Sequence, residues 1–133
     1  MNTISALPPL LLVAIGGGTG AMLRYLVGRW ALAAFGPGFP VGTLAVNLLG
    51  GLVMGLVVGM LARVNEGGEH LRLLIGVGVL GGFTTFSAFS LEMVNMVTRN
   101  EIGLAVAYAT ASVLGSMAAL FIGLWIVRGL GAV

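Results

Sequence analysis

Residues 81–90, GGFTTFSAFS, combine groups that could handle an ion inside a membrane. The two adjacent glycines weaken a helix, since each costs about 1 kcal/mol relative to alanine. Thr84, Thr85 and Ser87 place hydroxyls next to the backbone groups that a weakened helix releases. Irregular backbone at bilayer depth survives only when it is buried in protein or lines a wet cavity. The segment therefore predicts a functional break in the helix near residues 81–87, with ion or substrate handling as its chemistry.

Three phenylalanines, Phe83, Phe86 and Phe89, recur at every third position in this segment. On a helix this spacing is typical of an aromatic packing seam, which is one interpretation. The other follows from their alternation with hydroxyls, because an aromatic ring carries a positive edge. Ring edges beside hydroxyl donors would form a binding site for a small anion.

A polar residue stands at the head of a glycine series in an earlier apolar stretch. Asn47 is followed by Gly51, Gly55 and Gly59 at intervals of four. Glycines at that spacing let helix backbones approach closely, which favours simple packing. Asn47 has no charged neighbour, and polar side chains inside membranes usually bond between helices or take part in function. We interpret Asn47 as a candidate functional residue.

The last apolar stretch carries a series of hydroxyls, Tyr108, Ser112 and Ser116, again spaced by four. This series predicts either a polar track along one helix face or serines that bond back to their own helix. A parallel series of small residues, from Ala111 to Gly123, is typical of helix packing.

Two charged residues lie close to these features. Arg24 would serve either as an interfacial anchor with Tyr25 and Trp30 or as a cation that concentrates anions in a vestibule. Glu92 follows the predicted break by about one and a half turns, and could face a vestibule or pair with an arginine.

The composition indicates an integral membrane protein that is not an enzyme. The chain has 133 residues, of which 59% are hydrophobic and 8% charged, whereas a soluble domain carries about 25% charged residues. The absence of cysteine excludes disulfides and thiolate metal sites, and a single histidine excludes a histidine cluster. No acid–base pair, activated nucleophile or phosphate loop is present, and GGGTG at 16–20 has no preceding strand to make a nucleotide fingerprint.

Four apolar stretches, at about 7–35, 41–62, 71–98 and 102–127, each reach the roughly 20 residues that a membrane span requires. The joints at 35–40, 63–72 and 99–101 contain Pro, Gly, Asn and charged residues, which are typical of loops. We predict an all-α membrane protein, with residues 1–133 forming a single four-helix transmembrane domain.

The arginines are evenly divided between the two membrane sides that four spans define. One side receives Arg63, Arg72 and Arg128. The other side receives Arg24, Arg29 and Arg99. The positive-inside rule gives no orientation for such a count. Either the topology is weakly determined, or both orientations insert and form an antiparallel homodimer.

Four motifs lie within this frame: GGGTGAMLRY at 16–25, GTLAVNLLG at 42–50, GGFTTFSAFSLE at 81–92, and the spacing of Tyr108, Ser112 and Ser116. Together they resemble the Fluc (CrcB-like) fluoride channel family over nearly the whole chain. The resemblance implies a passive, fluoride-selective channel that exports cytoplasmic fluoride across the bacterial inner membrane. It also implies an antiparallel dual-topology homodimer with two pores, each built from both subunits.

The resemblance assigns roles to individual residues. The pore residues that it implies are Asn47, Phe86, Ser87, Phe89, Tyr108, Ser112 and Ser116. Arg24 matches an arginine of the family's first helix, and we expect it with Glu92 in a vestibule. The family also holds a structural sodium ion on the dimer axis, coordinated by backbone carbonyls of the break. In this chain those carbonyls would belong to Gly81 and Thr84.

The chain departs from the family pattern at one position. The motif often reads TTFSTFS, whereas here it reads TTFSAFS. Ala88 therefore lacks a hydroxyl that lines the pore in other members, while Ser87 keeps its own. We expect the conduction rate to differ and the function to stay the same.

Two other classes compete with the fluoride channel. A small multidrug-resistance-type exporter also has four spans and balanced charge, but it needs a membrane-embedded carboxylate in its first helix. The first helix here contains Arg24 and no acidic residue. A non-transporting assembly subunit would explain the glycine series but not the polar residues at the break.

Overall fold

The computed structural model describes residues 8–64 and 68–130, and every regular element within them is helical. Four segments are long and apolar enough to cross a membrane: α1 (Pro9–Phe35), α2 (Val41–Leu61), a third span (Gly68–Thr98) and α6 (Ile102–Gly129). The predicted all-helical architecture with four spans is confirmed. The predicted start of the first stretch at Leu7, and residues 65–67 of the predicted second joint, lie outside the described residues.

The third span changes geometry along its length. It begins as α3 (Gly68–Leu71), continues as a π-helix (Arg72–Leu80), and then forms α4 (Gly81–Phe83) and α5 (Phe86–Thr98). The two residues between α4 and α5 have extended backbone dihedrals. Thr84 has φ −80° and ψ 157°, and Thr85 has φ −150° and ψ 121°. These residues fall within the interval where the sequence predicts a break.

Glycines set the distance between helices α2 and α6. A Cβ atom added to Gly51 would lie 2.7 Å from the carbonyl oxygen of Ser116. A Cβ on Gly55 would collide with the carbonyl oxygen of Leu120, and one on Gly123 with that of Leu52. Backbone therefore packs directly on backbone along this pair. The glycine series of α2 is therefore a packing surface, as are Gly115 and Gly123 of α6, whereas Ala111 is exposed.

The loop between α1 and α2 is short and conformationally fixed. Gly36 ends α1 with φ 75°, a value that favours glycine. Pro40, with φ −78° and ψ 63°, is the centre of an inverse γ-turn. In this turn the N–H of Val41 donates to the carbonyl oxygen of Phe39 at 2.8 Å. The loop thus enters α2 in one defined orientation.

A small hydrophobic cluster lies near the same end of the bundle. Met96, Ala105 and Tyr108 are buried there, and Phe39 and Phe89 pack against them from the loop and from α5. This cluster connects the α1–α2 loop to the region between α4 and α5.

Candidate functional site

The side chain of Asn47 binds the backbone of the non-helical segment at two points. The N–H of Thr85 donates to Asn47 Oδ1 at 2.9 Å, and Asn47 Nδ2 donates to the carbonyl oxygen of Thr85 at 3.1 Å. The amide therefore pairs with one residue of the third span much as a neighbouring strand would. It satisfies backbone groups that no helix satisfies, which is required at bilayer depth.

This pairing diverts hydrogen-bond donors from two carbonyls. In a continuous helix the N–H of residue i+4 donates to the carbonyl of residue i. The N–H of Thr85 donates to Asn47 instead of to Gly81, and the N–H of Ala88 donates to Thr85 Oγ1 at 3.2 Å instead of to Thr84. The carbonyl oxygens of Gly81 and Thr84 are thereby available to another partner.

Beside the non-helical segment lies a cavity of about 270 Å³. It is lined by residues of α2, the third span and α6: Asn47, Thr84, Thr85, Phe86, Phe89, Ser112, Val113 and Ser116. The hydroxyl oxygens of Ser112 and Ser116 are buried and have no hydrogen-bond partner among the described residues. Two unpaired hydroxyls, an amide and two phenylalanine rings thus converge on one space.

The two phenylalanines differ in their surroundings. Phe86 keeps 78% of its surface exposed, whereas Phe89 is partly buried against the hydrophobic cluster. Their ring centroids are 5.6 Å apart at an interplanar angle of 42°. Phe89 also lies 5.2 Å from the ring of Tyr108. Both rings line the cavity, and the ring of Phe89 also packs against the hydrophobic cluster.

Glu92 accepts hydrogen bonds from two hydroxyls. Thr43 Oγ1 donates to its Oε1 at 2.6 Å, and Tyr108 Oη donates to its Oε2 at 2.6 Å. Within the described ranges these two hydroxyls bind its carboxylate and no arginine does so, although an arginine partner was one of the two alternatives from the sequence. Thr43 was missed by sequence reasoning. Its position four residues before Asn47, on the same helix face, is the signal that could have revealed it.

Arg24, Ser87 and the fully buried Tyr108 lie around this site but not in the cavity lining. Arg24 lines a separate cavity of about 320 Å³ that also contacts Thr43, Thr85 and Ala88. Ser87 is exposed, and its hydroxyl shares a hydrogen bond of 3.2 Å with Thr85 Oγ1. Ala88, which lacks the hydroxyl common at this position, thus lines the cavity of Arg24 and not the cavity beside the non-helical segment.

Side-chain metal ligation has no basis in the described part of the chain, where no three His, Cys, Asp or Glu residues cluster. A cation at this site would depend on main-chain oxygens. The polar groups of the cavity itself are a neutral amide and neutral hydroxyls, which can donate hydrogen bonds to an anion.

Comparisons with known proteins agree on one family. The sequence profile described as "CrcB-like protein, Camphor Resistance (CrcB)" matches residues 11–124. A curated relative from Novosphingobium aromaticivorans is 59% identical over 119 residues, covering 88% of this chain and 94% of the relative. Another from Phenylobacterium zucineum is 56% identical over 120 residues, covering 90% of this chain and 94% of the relative. Both carry the name "Fluoride-specific ion channel FluC".

Proposed function

The chain belongs to the CrcB-like protein family, and from this premise we propose that it is a passive, fluoride-selective channel that exports fluoride from the cytoplasm. The family assignment confirms the resemblance noted from the sequence. The chain is a multi-pass protein of the bacterial inner membrane. Because its relatives are named as ion channels, the expectation that it is not an enzyme is also confirmed.

The observation that carries the proposal is the pair of unpaired hydroxyls in the cavity. A buried donor without a partner costs about 1–3 kcal/mol, so Ser112 and Ser116 favour a ligand that accepts hydrogen bonds. The cavity also contains the amide of Asn47, whose second N–H is available. Fluoride is small and strongly hydrated, and several short donor contacts can replace its water.

Aromatic ring edges complete this environment. The edges of Phe86 and Phe89 are positive in sign and can approach a small anion beside the hydroxyls. Chloride is too large to gain the same short contacts within a fixed, narrow pore. Because several weak sites follow one another, an ion can bind and still leave, as conduction requires.

An exporter coupled to protons receives no comparable support. It needs a membrane-embedded carboxylate in α1, and that helix contains none. The carboxylate of Glu92 in the third span is engaged by Thr43 and Tyr108. A passive pore requires no such exchange group.

We further propose that the functional unit is an antiparallel homodimer with two pores. Two observations support it. The three-against-three division of arginines permits both orientations. Phe86 lines the cavity yet remains 78% exposed in the single chain, so a second copy would complete the wall. In this arrangement the interruption at Thr84 and Thr85 is the functional break, and Arg24 and Glu92 lie in the vestibule that leads to it.

A structural sodium ion fits the oxygens at this break. The carbonyls of Gly81 and Thr84 have lost their helical donors to Asn47 and to the Thr85 hydroxyl. Two copies would supply four neutral oxygens, which suits a monovalent cation better than calcium, since calcium takes 6–8 oxygens and usually carboxylates. Exhaustive removal of sodium should lower flux, and sodium but not potassium should restore it. Full flux in rigorously sodium-free medium would refute the ion site.

Fluoride efflux from liposomes tests the proposed function. The reconstituted protein should release fluoride down its gradient without a proton gradient and should pass little chloride, as ion-selective electrodes report. The variant Ser112→Ala/Ser116→Ala should conduct fluoride poorly. Its control is Thr110→Ala, because the exposed Thr110 hydroxyl on the same helix donates to the carbonyl of Val106 at 2.8 Å. Equal chloride flux, or dependence on a proton gradient, contradicts the proposal.

A further inference from the structure

We propose that Phe39, in the loop between α1 and α2, is a positioning residue that sets the orientation of the pore phenylalanine Phe89 through Tyr108. The inference rests on the proposed function, since positioning matters only if an ion passes the rings. It assigns a role in conduction to a loop residue that neither lines the cavity beside the break nor contacts the ion.

A continuous series of aromatic contacts joins the loop to the break. The centroid of Phe39 lies 5.4 Å from that of Tyr108 at an interplanar angle of 83°. Tyr108 lies 5.2 Å from Phe89 at 48°, and Phe89 lies 5.6 Å from Phe86 at 42°. All three distances fall in the range where aromatic pairs attract with a preferred geometry. We call these four rings the aromatic series.

Tyr108 is the central member of the aromatic series, and it is fixed at several points. Its side chain is fully buried, at 0% exposure, with Phe39 and Phe89 packed against its ring. Its hydroxyl donates to Glu92, which also accepts from Thr43. Phe39, at the end of the loop, and Thr43, in the first turn of α2, are four residues apart. One short stretch of chain therefore holds both the ring and, through Glu92, the hydroxyl.

The backbone of the loop restricts the orientation of Phe39 independently of its contact with Tyr108. The inverse γ-turn at Pro40 fixes the backbone that follows it, with the N–H of Val41 donating to the Phe39 carbonyl at 2.8 Å. Proline also restricts the residue that precedes it to extended conformations. The loop therefore presents this ring in a defined direction.

The consequence for conduction follows from the directionality of ring interactions. An anion is attracted to the edge of a ring and repelled by its face, so a small rotation of Phe89 changes the contact. An aliphatic side chain at position 39 keeps apolar burial but loses the oriented edge contact with Tyr108. The central ring can then reorient, and Phe89 with it.

Substitution of Phe39 tests this positioning role. We expect Phe39→Leu to reduce fluoride flux by about two- to tenfold, the effect of losing one aromatic pair. Phe39→Tyr should restore flux close to that of the parent, because Phe39 borders a cavity of about 360 Å³ that can accept a hydroxyl. Phe39→Met is the second aliphatic variant if Phe39→Leu does not fold.

Phe35→Leu is the matched control. Phe35 belongs to an aromatic pair of the same kind, with its ring 5.8 Å from that of Trp30 at 84°, but among the described residues it forms no ring pair with the aromatic series. Its substitution should leave fluoride flux unchanged. Equal losses for Phe35→Leu and Phe39→Leu would mean that both act only on helix packing, which overturns the proposal.

A spectroscopic measurement on Tyr108 separates positioning from a general loss of stability. The chain has two tyrosines, so in a Tyr25→Phe background ring-labelled tyrosine reports on Tyr108 alone by NMR. We expect Phe39→Leu to shift its ring resonance and speed its ring flips, and Phe35→Leu to do neither. Reduced flux with an unchanged Tyr108 signal refutes the route through Tyr108. If the parent itself conducts no fluoride, the proposed function fails; if the parent conducts and Phe39→Leu equals it, only the positioning role fails.

Discussion

Replacing Asn47 with aspartate removes one half of the amide pairing with Thr85 while leaving the shape of the side chain almost unchanged. The carboxylate still accepts from the N–H of Thr85, which lies 2.9 Å from Oδ1. It can no longer donate to the Thr85 carbonyl, which Nδ2 reaches at 3.1 Å. A second carboxylate oxygen then faces a carbonyl oxygen, and a negative charge enters the proposed path of the anion.

The size of the effect follows from the lost hydrogen bond. Leaving a buried carbonyl without its donor costs about 1–3 kcal/mol, which corresponds to an approximately 5- to 150-fold smaller population of the conducting geometry. Charge repulsion adds to this loss. In Asn47→Leu both Thr85 groups lose their partner, so the cost doubles to about 2–6 kcal/mol without any added charge.

Fluoride efflux from liposomes and thermal unfolding in detergent measure the two consequences. Asn47→Asp should lose flux by at least the factor expected from the hydrogen bond and should unfold at a lower temperature. Asn100→Asp is the control, since Asn100 is exposed, lies in the turn before α6 and has φ 62°, a conformation that aspartate also adopts. Its flux and stability should match the parent.

Unchanged flux in Asn47→Asp would refute this reasoning, because it would show that conduction does not depend on the pairing of Asn47 with Thr85. Lower stability in Asn47→Leu combined with full flux would confine Asn47 to a structural role. Loss of flux in Asn100→Asp would show that any added negative charge suffices.

Three further predictions concern the rings, the packing and the orientation. Phe89→Ile should reduce fluoride flux strongly while the protein keeps its oligomeric state in size-exclusion chromatography, and unchanged flux would leave Phe89 as a packing residue. Gly55→Ala should lower the unfolding temperature because its Cβ collides with the Leu120 carbonyl, whereas Gly103→Ala, with no atom within 4 Å of the added Cβ, should not. Two lysines introduced between residues 64 and 69 should bias insertion to one orientation and lower activity, and co-expression with an oppositely biased partner should restore it. Labelling of the parent from one side only would contradict dual topology.

The four spans follow from the sequence because their signal is local. Each stretch is apolar over more than the length a bilayer requires, and Pro, Gly and charged residues mark the joints. The helices observed at Pro9–Phe35 and Val41–Leu61 therefore begin and end close to the predicted limits. The same local reasoning placed Asn47 on one face of α2 with a glycine series, and Ser112 and Ser116 on one face of α6 with Tyr108. Each series has intervals of four.

Which groups meet across helices was decided only by the tertiary structure. Spacing cannot show that the two ends of the Asn47 amide bind the backbone of Thr85, which is 38 residues away in sequence. Nor could it choose between a vestibule and an arginine for Glu92, whose partners Thr43 and Tyr108 come from two other helices.

The physical reason is that hydrophobic periodicity reports which side of a helix is apolar, whereas a hydrogen bond depends on the rotation and height of two helices relative to each other. Close contacts at glycines contribute to both quantities here. A Cβ on Gly50 of α2 would collide with the Thr84 side chain of the third span, and one on Gly55 would collide with the Leu120 backbone of α6. The sequence by itself determined a membrane protein with polar residues at bilayer depth. The packing of its helices determined which of those residues form one site.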